Sequence, residues 1–287
     1  MINILLLNWN SFEDIQICVE QIIKSDVNKY RIILIDNKSN EEEKNKLILF
    51  YKKLDREIDN EVYLIQNSDN LGYAGGNNEG YEYLKSNNLD GNILILNPDI
   101  SLSENTIANL QTVLNEDSSV GACMCRTLNS DLKINYDYIS MNGLSQKPLT
   151  TNLDLVETDY VAGSCMLLRR ETIDKVGLFN DTFFMYWEEV DLSFRIRKLG
   201  YKLLSTTKTY IIRKENDKSR SINMNYYMTR NIFLMKKLHS EIKPYQVLII
   251  LLKMFKGSLS NTYKNKKIKY LYIFFKGVID GYKIYKK

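Results

Sequence analysis

Over its first hundred residues the chain alternates short, wholly apolar runs with stretches whose apolar positions recur at helical spacing. Ile2–Leu7 is a run of strand length, closed by the polar segment Asn8–Ser11. Ile15, Val19, Ile22 and Ile23 then fall on one face of a predicted helix over Phe12–Ser25. Ile32–Ile35 is a second buried-type strand that stops at Asp36-Asn37-Lys38-Ser39. A charged helix over Glu41–Leu54 and a third strand at Val62–Gln66 follow. The glycine-rich segment Gly72–Gly80 leads into a helix to Lys85, and a fourth strand lies at Ile93–Leu96. Strands that are apolar throughout, separated by helices, predict a mostly parallel sheet covered on both faces.

Sheets of this kind bind ligands beyond the carboxyl ends of their strands. Here those ends carry Asn8-Trp9-Asn10, Asp36-Asn37, Asn70–Gly80 and Asn97-Pro98-Asp99, so polar and glycine-rich residues gather along one edge. Past Asp99 the pattern loosens. It predicts a helix over Asn105–Leu114, irregular strands in Gly121–Leu128, a strand at Tyr160–Arg169, and helices Glu171–Val176 and Glu188–Leu199 ended by Gly177 and Gly200. From Asn223 onward the sequence is helical, basic and rich in Tyr and Phe.

Charge divides the chain where hydropathy does not. Residues 243–287 carry 11 Lys, no Arg and one acid, Asp280, for a net of +10, which leaves residues 1–242 at −6. An acidic body with a cationic tail suggests an anionic surface or polymer as partner. The four cysteines, Cys18, Cys123, Cys125 and Cys165, lack zinc spacing and read as buried small hydrophobes. The first residues have no basic n-region and too short an apolar run for a signal peptide, so they read as a strand and the protein as intracellular.

Three constellations carry candidate chemistry. In Asn97-Pro98-Asp99 a carboxylate at a strand end, held by a rigid turn, can ligate a divalent metal that also touches a diphosphate; an ordinary Asn-Pro turn is the plain alternative. In Asn70–Gly80 four glycines within nine residues let a backbone approach a ligand closely, although no phosphate-loop lysine follows. In Phe183–Asp191 three acids, Glu188, Glu189 and Asp191, open a predicted helix directly after an aromatic run. Helix-dipole compensation explains acids there. A carboxylate against apolar rings is also desolvated, and its raised pKa suits a general base. Arg195 and Arg197 follow on the same helix as partners for the acids.

With these constellations in this order, the sequence resembles the family 2 glycosyltransferases of the GT-A fold, and most of all the bacterial branch that includes rhamnosyltransferases. The resemblance rests on Ile35-Asp36-Asn37-x-Ser39, Asn70–Gly80, Leu96–Asp99, Ala162–Arg170 and Gly177-Leu178-Phe179 leading into Trp187–Asp191, with an echo at Tyr227–Asn231. It implies an α/β architecture, a mostly parallel central sheet flanked by helices, with a C-terminal helical extension. The implied division is a catalytic domain over 1–215 (donor half 1–100, acceptor half 101–215) and a helical region over 216–287. The implied activity is inverting transfer from a nucleotide-sugar, dTDP-rhamnose or a UDP-sugar, to a saccharide acceptor that is lipid-linked, in cell-surface polysaccharide assembly.

Roles follow residue by residue from the resemblance. Asp36 would hydrogen-bond the donor pyrimidine beside the Asn8–Trp9 turn, and Asn70, Gly72 and Gly76 would shape the donor pocket. Asn97 and Asp99 stand where the family has its metal-binding Asp-x-Asp, with Asp99 the retained ligand for Mg²⁺ or Mn²⁺. Glu189 occupies the place of the general base; Asp191 and Glu188 would bind or orient the sugars, with Trp187 on the acceptor side. The family's His about two dozen residues later is replaced by Arg213, in Ile211–Glu215, and the chain's single His is His239. Arg cannot ligate a metal but can neutralise a diphosphate, so Arg213 is expected to stabilise the leaving group.

Two further readings stay open: a sugar nucleotidyltransferase, although its basic loop is missing after the first strand, and a sugar-nucleotide or glycan-binding module that has lost catalysis. In the tail, Tyr245–Phe255 is too short to span a bilayer, and lysines interleaved with aromatics over Lys264–Lys276 suit a helix in an anionic membrane interface. The same helices can pack on the body or on a second copy of the chain in a homodimer. The expectation is a cytoplasmic protein, peripheral at the inner face of the membrane, with no nucleic acid partner.

Overall fold

A computed structural model describes residues 1–214 and 221–286. The amino-terminal half follows the hydropathy pattern: β1 (Ile2–Asn8), α1 (Phe12–Ile23), β2 (Tyr30–Asp36), α2 (Glu41–Glu57), β3 (Glu61–Gln66), α3 (Gly72–Ser86) and β4 (Asn92–Leu96). These four strands are parallel, in the order β3-β2-β1-β4, with Asn8 opposite Asp36 and Leu6 opposite Leu96. Their apolar runs are unbroken because both sheet faces are covered. Leu5, Ile33 and Ile35 enter one core, while Ile4, Leu6, Ile32 and Leu34 enter the other.

The second half continues with β5 (Ile100–Leu102), α4 (Thr106–Glu116) and β6 (Val120–Leu128). Four short strands follow, β7 (Ile134–Tyr136), β8 (Tyr138–Asn142), β9 (Ser145–Leu149) and β10 (Leu155–Glu157), then β11 (Cys165–Leu168) and α5 (Arg170–Val176). α6 (Glu188–Lys198) and β12 (Lys202–Arg213) complete it. β11 inserts antiparallel between β4 and β6, and β12 runs parallel to β6, so the extended sheet is mixed. The strand expected at Tyr160–Arg169 is only four residues long. Its first part is a loop whose Ser164 carbonyl accepts from the Asn97 N–H at 2.9 Å.

The glycine segment is helix, not a loop ahead of one. Gly72, Gly75, Gly76 and Gly80 are buried in α3. A Cβ on Gly76 would lie 2.5 Å from Leu7, and one on Gly80 would lie 2.7 Å from Ile35. The missing side chains therefore let α3 press onto β1 and β2.

α7 (Ser221–Leu238), α8 (Pro244–Asn265) and α9 (Lys269–Lys286) form the carboxyl-terminal region. The expected boundary at residue 215, with Glu215 itself, lies outside the described residues. Ile232, Leu234, Met235 and Ile242 belong to the same core as Trp187, Val190 and Leu192, so α7 is built into the body.

Candidate active site

The carboxyl ends of β1, β2 and β4 meet at one sheet edge and form one wall of a cavity of about 530 Å³. Of the residues that the resemblance assigns to donor binding, Trp9 (53% exposed), Asn70, Gly72, Asn97 and Asp99 line it. Asn8 and Asp36 sit behind that wall and are buried. The Asn8 amide donates to Asp36 (3.3 Å) and to Ser39 (3.1 Å), and its oxygen accepts from the Ser11 N–H at 3.2 Å. Asn8 thus shapes the turn that presents Trp9.

Asn37 fixes the mouth of α3. Its amide nitrogen donates to Asn70 and to the Gly72 carbonyl, both at 3.0 Å, and its oxygen accepts from Asn67 and from the Leu71 N–H, both at 3.1 Å. Gly72 has φ +72°, and a Cβ there would lie 2.3 Å from the Phe184 carbonyl oxygen, which accepts from the Ala74 N–H at 3.1 Å. The close approach that the glycines permit is therefore to protein, and Gly76 does not reach the cavity.

Opposite this wall runs the segment Asp181–Trp187. Phe184, Tyr186 and Trp187 all have positive φ, of 64°, 67° and 78°, with Phe184 (ψ −58°) at the centre of a turn closed by the Met185 N–H on the Phe183 carbonyl; such backbones cost on the order of 1–3 kcal/mol each. Asn231, on α7, offsets it. Its amide donates to the carbonyls of Phe183, Met185 and Tyr186 at 3.0, 2.9 and 2.8 Å, while Arg230 donates to those of Thr182 and Phe183. The turn aims Phe184 and Met185 into the cavity. Trp187 goes the other way: it is buried, with its indole N–H donating to the Met228 carbonyl at 3.2 Å, so it does not face an acceptor as expected.

α6 begins at this turn. One side-chain oxygen each of Glu188 and Glu189 is buried without a hydrogen-bond partner. Burial pushes the Glu188 carboxyl well above the usual range, reinforced by the charges of Glu189 and Asp191. Burial also raises Glu189, with its own backbone N–H and the Arg213 guanidinium pulling it down. Tyr73 ties the two halves together. It lines the cavity, donates to the Gly163 carbonyl at 2.6 Å, and its phenol is pushed well up by burial and then by the charges of Glu188, Glu189 and Asp99.

Asp191 faces inward. One oxygen accepts from Arg195 at 2.9 Å, and the other lies 2.8 Å from His239 Nε2, leaving it bonded within the body. The Lys198 ammonium, a donor only, stands 3.1 Å from His239 Nδ1, so Nδ1 accepts and Nε2 carries the proton toward Asp191. Arg195 also donates to the carbonyls of Val176, Gly177 and Leu178, and Arg197 pairs with Asp159 rather than with the helix's own acids. Arg213 is paired in register with Ile100, next to Asp99, and its charge reaches Glu189 and Tyr160. It is not among the cavity-lining residues.

Among the described residues no three His, Cys, Asp or Glu side chains converge as a metal site. The cavity offers Asp99 with the amide oxygen of Asn97, and Asp14, which is paired to Lys214 at 2.6 Å. Such hard oxygen donors fit a Mg²⁺ or Mn²⁺ whose shell is completed by substrate phosphates, and do not fit an all-protein metal cage.

Comparison with known proteins decides the family. Residues 4–177 match the model described as glycosyl transferase family 2. The chain belongs to that family. The chain is 26% identical over 205 residues to the low-salt glycan biosynthesis hexosyltransferase Agl10 of Haloferax volcanii, covering 69% of this chain but only 62% of that relative. A shorter likeness, 45% over 42 residues (15% of this chain, 14% of the relative), is to an N-acetylglucosaminyl-diphospho-decaprenol L-rhamnosyltransferase of Mycobacterium tuberculosis. The chain shares its fold with GalNAc-T7, solved with UDP, GalNAc and Mn²⁺ (TM-score 0.63, 15% identity, 90% of this chain and 54% of that one). It shares it also with the mannosyltransferase PcManGT of Pyrobaculum calidifontis, solved with GDP-Man and Mn²⁺ (TM-score 0.61, 11% identity, 99% and 86%). The expected GT-A architecture, with its C-terminal helical extension, is the observed one.

Sequence reasoning missed the residues that arrive from the carboxyl-terminal helices. Asn223, Tyr226 and Tyr227 of α7 and Ile273 and Lys276 of α9 line the cavity, and Tyr227 stacks on Phe184 at 4.9 Å. The signal available was the family-like stretch Tyr227–Asn231, whose Asn231 holds the strained turn.

Proposed function

We propose that this chain is an inverting glycosyltransferase that takes a nucleoside-diphosphate sugar in the cavity between Trp9, Asn70 and Asp99, with Glu189 as general base. The observation that carries the reading is Tyr73, which lines that cavity and feels the charge of Glu189, whose buried Oε2 has no hydrogen-bond partner. The acceptor hydroxyl oxygen bonds the anomeric carbon, its proton passes to Glu189, and the bond to the diphosphate breaks with its electron pair leaving on the nucleotide. A Mg²⁺ or Mn²⁺ held by Asp99 with Asn97 supplies positive charge to the diphosphate when bound. Arg213, whose charge reaches Glu189, keeps that carboxyl ionisable, and the Arg195–Asp191–His239 set fixes α6 behind it.

Within this reading the segment 1–215 does the chemistry and 216–287 closes the cavity and meets a membrane. Transfer of rhamnose to a lipid-linked saccharide is supported by the short likeness to the mycobacterial enzyme, whose name carries both. A hexose donor is supported by the longer likeness to a hexosyltransferase. Association with an anionic membrane surface is supported by α8 and α9. Tyr263, Ile268 and Tyr272 are 86%, 78% and 64% exposed there, among lysines that include Lys264, Lys266, Lys267 and Lys269. Among the described residues no helix is long and apolar enough to cross a membrane.

The test is nucleoside-diphosphate release from a panel of dTDP-, UDP- and GDP-sugars, with Mn²⁺ or with EDTA. Glu189→Gln is expected to lower turnover about 100-fold or more while donor binding is retained. Turnover within tenfold of wild type would remove Glu189 as the base. Binding without release from any donor would favour a sugar-nucleotide-binding module instead.

A further inference from the structure

Among the described residues lining the cavity there are two carboxylates, Asp14 and Asp99, and a single cationic side chain, Lys276 of α9. Asp14 is already paired to Lys214, so among the described lining residues Lys276 is the cationic side chain that a nucleoside diphosphate would meet. Lys276 is held for such a task. Its ammonium lies 5.4 Å from the centroid of the Tyr226 ring, and Tyr226 is itself fixed by donating to Asp280 at 3.0 Å. Lys276 makes no ion pair with any described residue; Asp280, on the same helix, pairs with Lys283, and Asp14 with Lys214.

The helix that carries it is pinned at the neighbouring position. A Cβ on Gly277 would lie 2.9 Å from Thr229 and 3.0 Å from the Tyr226 carbonyl oxygen, and one on Gly281 would lie 2.7 Å from the Arg230 carbonyl oxygen. Two glycines one turn apart therefore bring the α9 and α7 backbones together and set the rotation of α9 about its axis. That rotation fixes which residues face the cavity, and they are Ile273 and Lys276. Tyr272, Phe275 and Ile279 point to solvent on the other side.

We infer that Lys276 is a donor-site residue that neutralises the diphosphate of the nucleotide as it departs, and that α9 is therefore part of the active site. The inference rests on the reading of the cavity as a nucleotide-sugar site. In the transfer the anomeric carbon–oxygen bond breaks, its electron pair stays on the diphosphate oxygen, and the ammonium stabilises that developing charge without giving up a proton. It adds to the charge of the metal and takes over on the diphosphate the task that Arg213, outside the cavity lining, was expected to perform.

Calorimetric titration with UDP, dTDP and GDP, each beside its monophosphate, tests this on the full chain with Mn²⁺ present. Lys276→Gln is expected to weaken the diphosphate that binds wild type by about 10- to 100-fold and the matching monophosphate by much less. Lys276→Arg is expected to restore most of the loss. Equal weakening of monophosphate and diphosphate would assign Lys276 a purely structural role and overturn the inference, as would unchanged diphosphate affinity in Lys276→Gln. Failure of wild type to bind any of the three diphosphates would overturn the cavity reading itself, and the inference with it.

Discussion

Asn231 offers the sharpest energetic test of the site. Its side chain is fully buried, and its amide faces three carbonyls of the turn that launches α6. An amide has two N–H groups, so three acceptors share two hydrogens, while its oxygen accepts from Arg230 at 2.8 Å. Asn231→Ala removes both donors and takes them from the Met185 and Tyr186 carbonyls, at about 1–3 kcal/mol each, while the Phe183 carbonyl keeps Arg230. The expected loss of stability is about 2–5 kcal/mol, because the turn's three positive-φ residues have lost what holds them. Asn231→Asp keeps the size and the acceptor for Arg230 but turns a charged oxygen toward the same carbonyls, so its loss should be at least as large. Urea unfolding reads the stability, and nucleoside-diphosphate release reads the consequence for Glu189, with turnover expected to fall more than tenfold. A loss under about 1 kcal/mol in Asn231→Ala, with turnover unchanged, would show that the turn does not depend on this clamp and would refute the reasoning.

Two other predictions address the base and the glycines. As the proposed base Glu189 works ionised, so turnover is expected to fall as pH drops through its raised pKa. Removing the Arg213 charge raises that pKa further, so Arg213→Gln should move the acid limb of the pH–turnover profile to higher pH. An acid limb at the same pH would separate Arg213 from Glu189. Gly72→Ala meets both a positive φ and a carbonyl at 2.3 Å, whereas Gly200→Ala meets a positive φ and nothing within 4 Å. Thermal unfolding should give a loss of about 3 kcal/mol or more for the first and about 1–2 kcal/mol for the second. Equal losses would mean that α3 and the Phe184 turn are not in contact.

The donor half was legible in the sequence because its strands are buried on both faces and therefore apolar at every position, as Ile2–Leu7 and Ile32–Ile35 illustrate. β12 was hard to read for the opposite reason. Its Ser205, Thr206 and Thr209 satisfy their hydroxyls through bonds to Asp137, Asp154 and Asn105, so buried polar residues stand where hydropathy looks for apolar ones. The glycines of α3 argued for a loop by local propensity, and packing against Leu7 and Ile35 overrode it. Along the last helices, apolar residues were visible but not what covers them. Ile232 and Met235 are sealed inside the body while Tyr263 and Ile268 face solvent, and nothing local to the sequence separates the two pairs. The acidic cluster was found, yet Asp191 and Glu189 differ in the company they keep: Asp191 turns to His239, 48 positions along, while the charge of Glu189 is felt by Tyr73 of the cavity wall.

The cavity has a consequence for how this chain reaches its native state. Trp9 belongs to the first turn and Lys276 to the last helix, so the cavity is complete only when the two ends of the described chain have met. Contacts of such large sequence separation carry the greatest closure entropy and tend to form late. A chain whose parallel strands have already assembled, but whose α7 and α9 have not docked, would have the floor of the site and no roof. A nucleotide that recognises only the finished enclosure would then draw the population toward complete folding, making the donor a ligand that rewards the final assembly step.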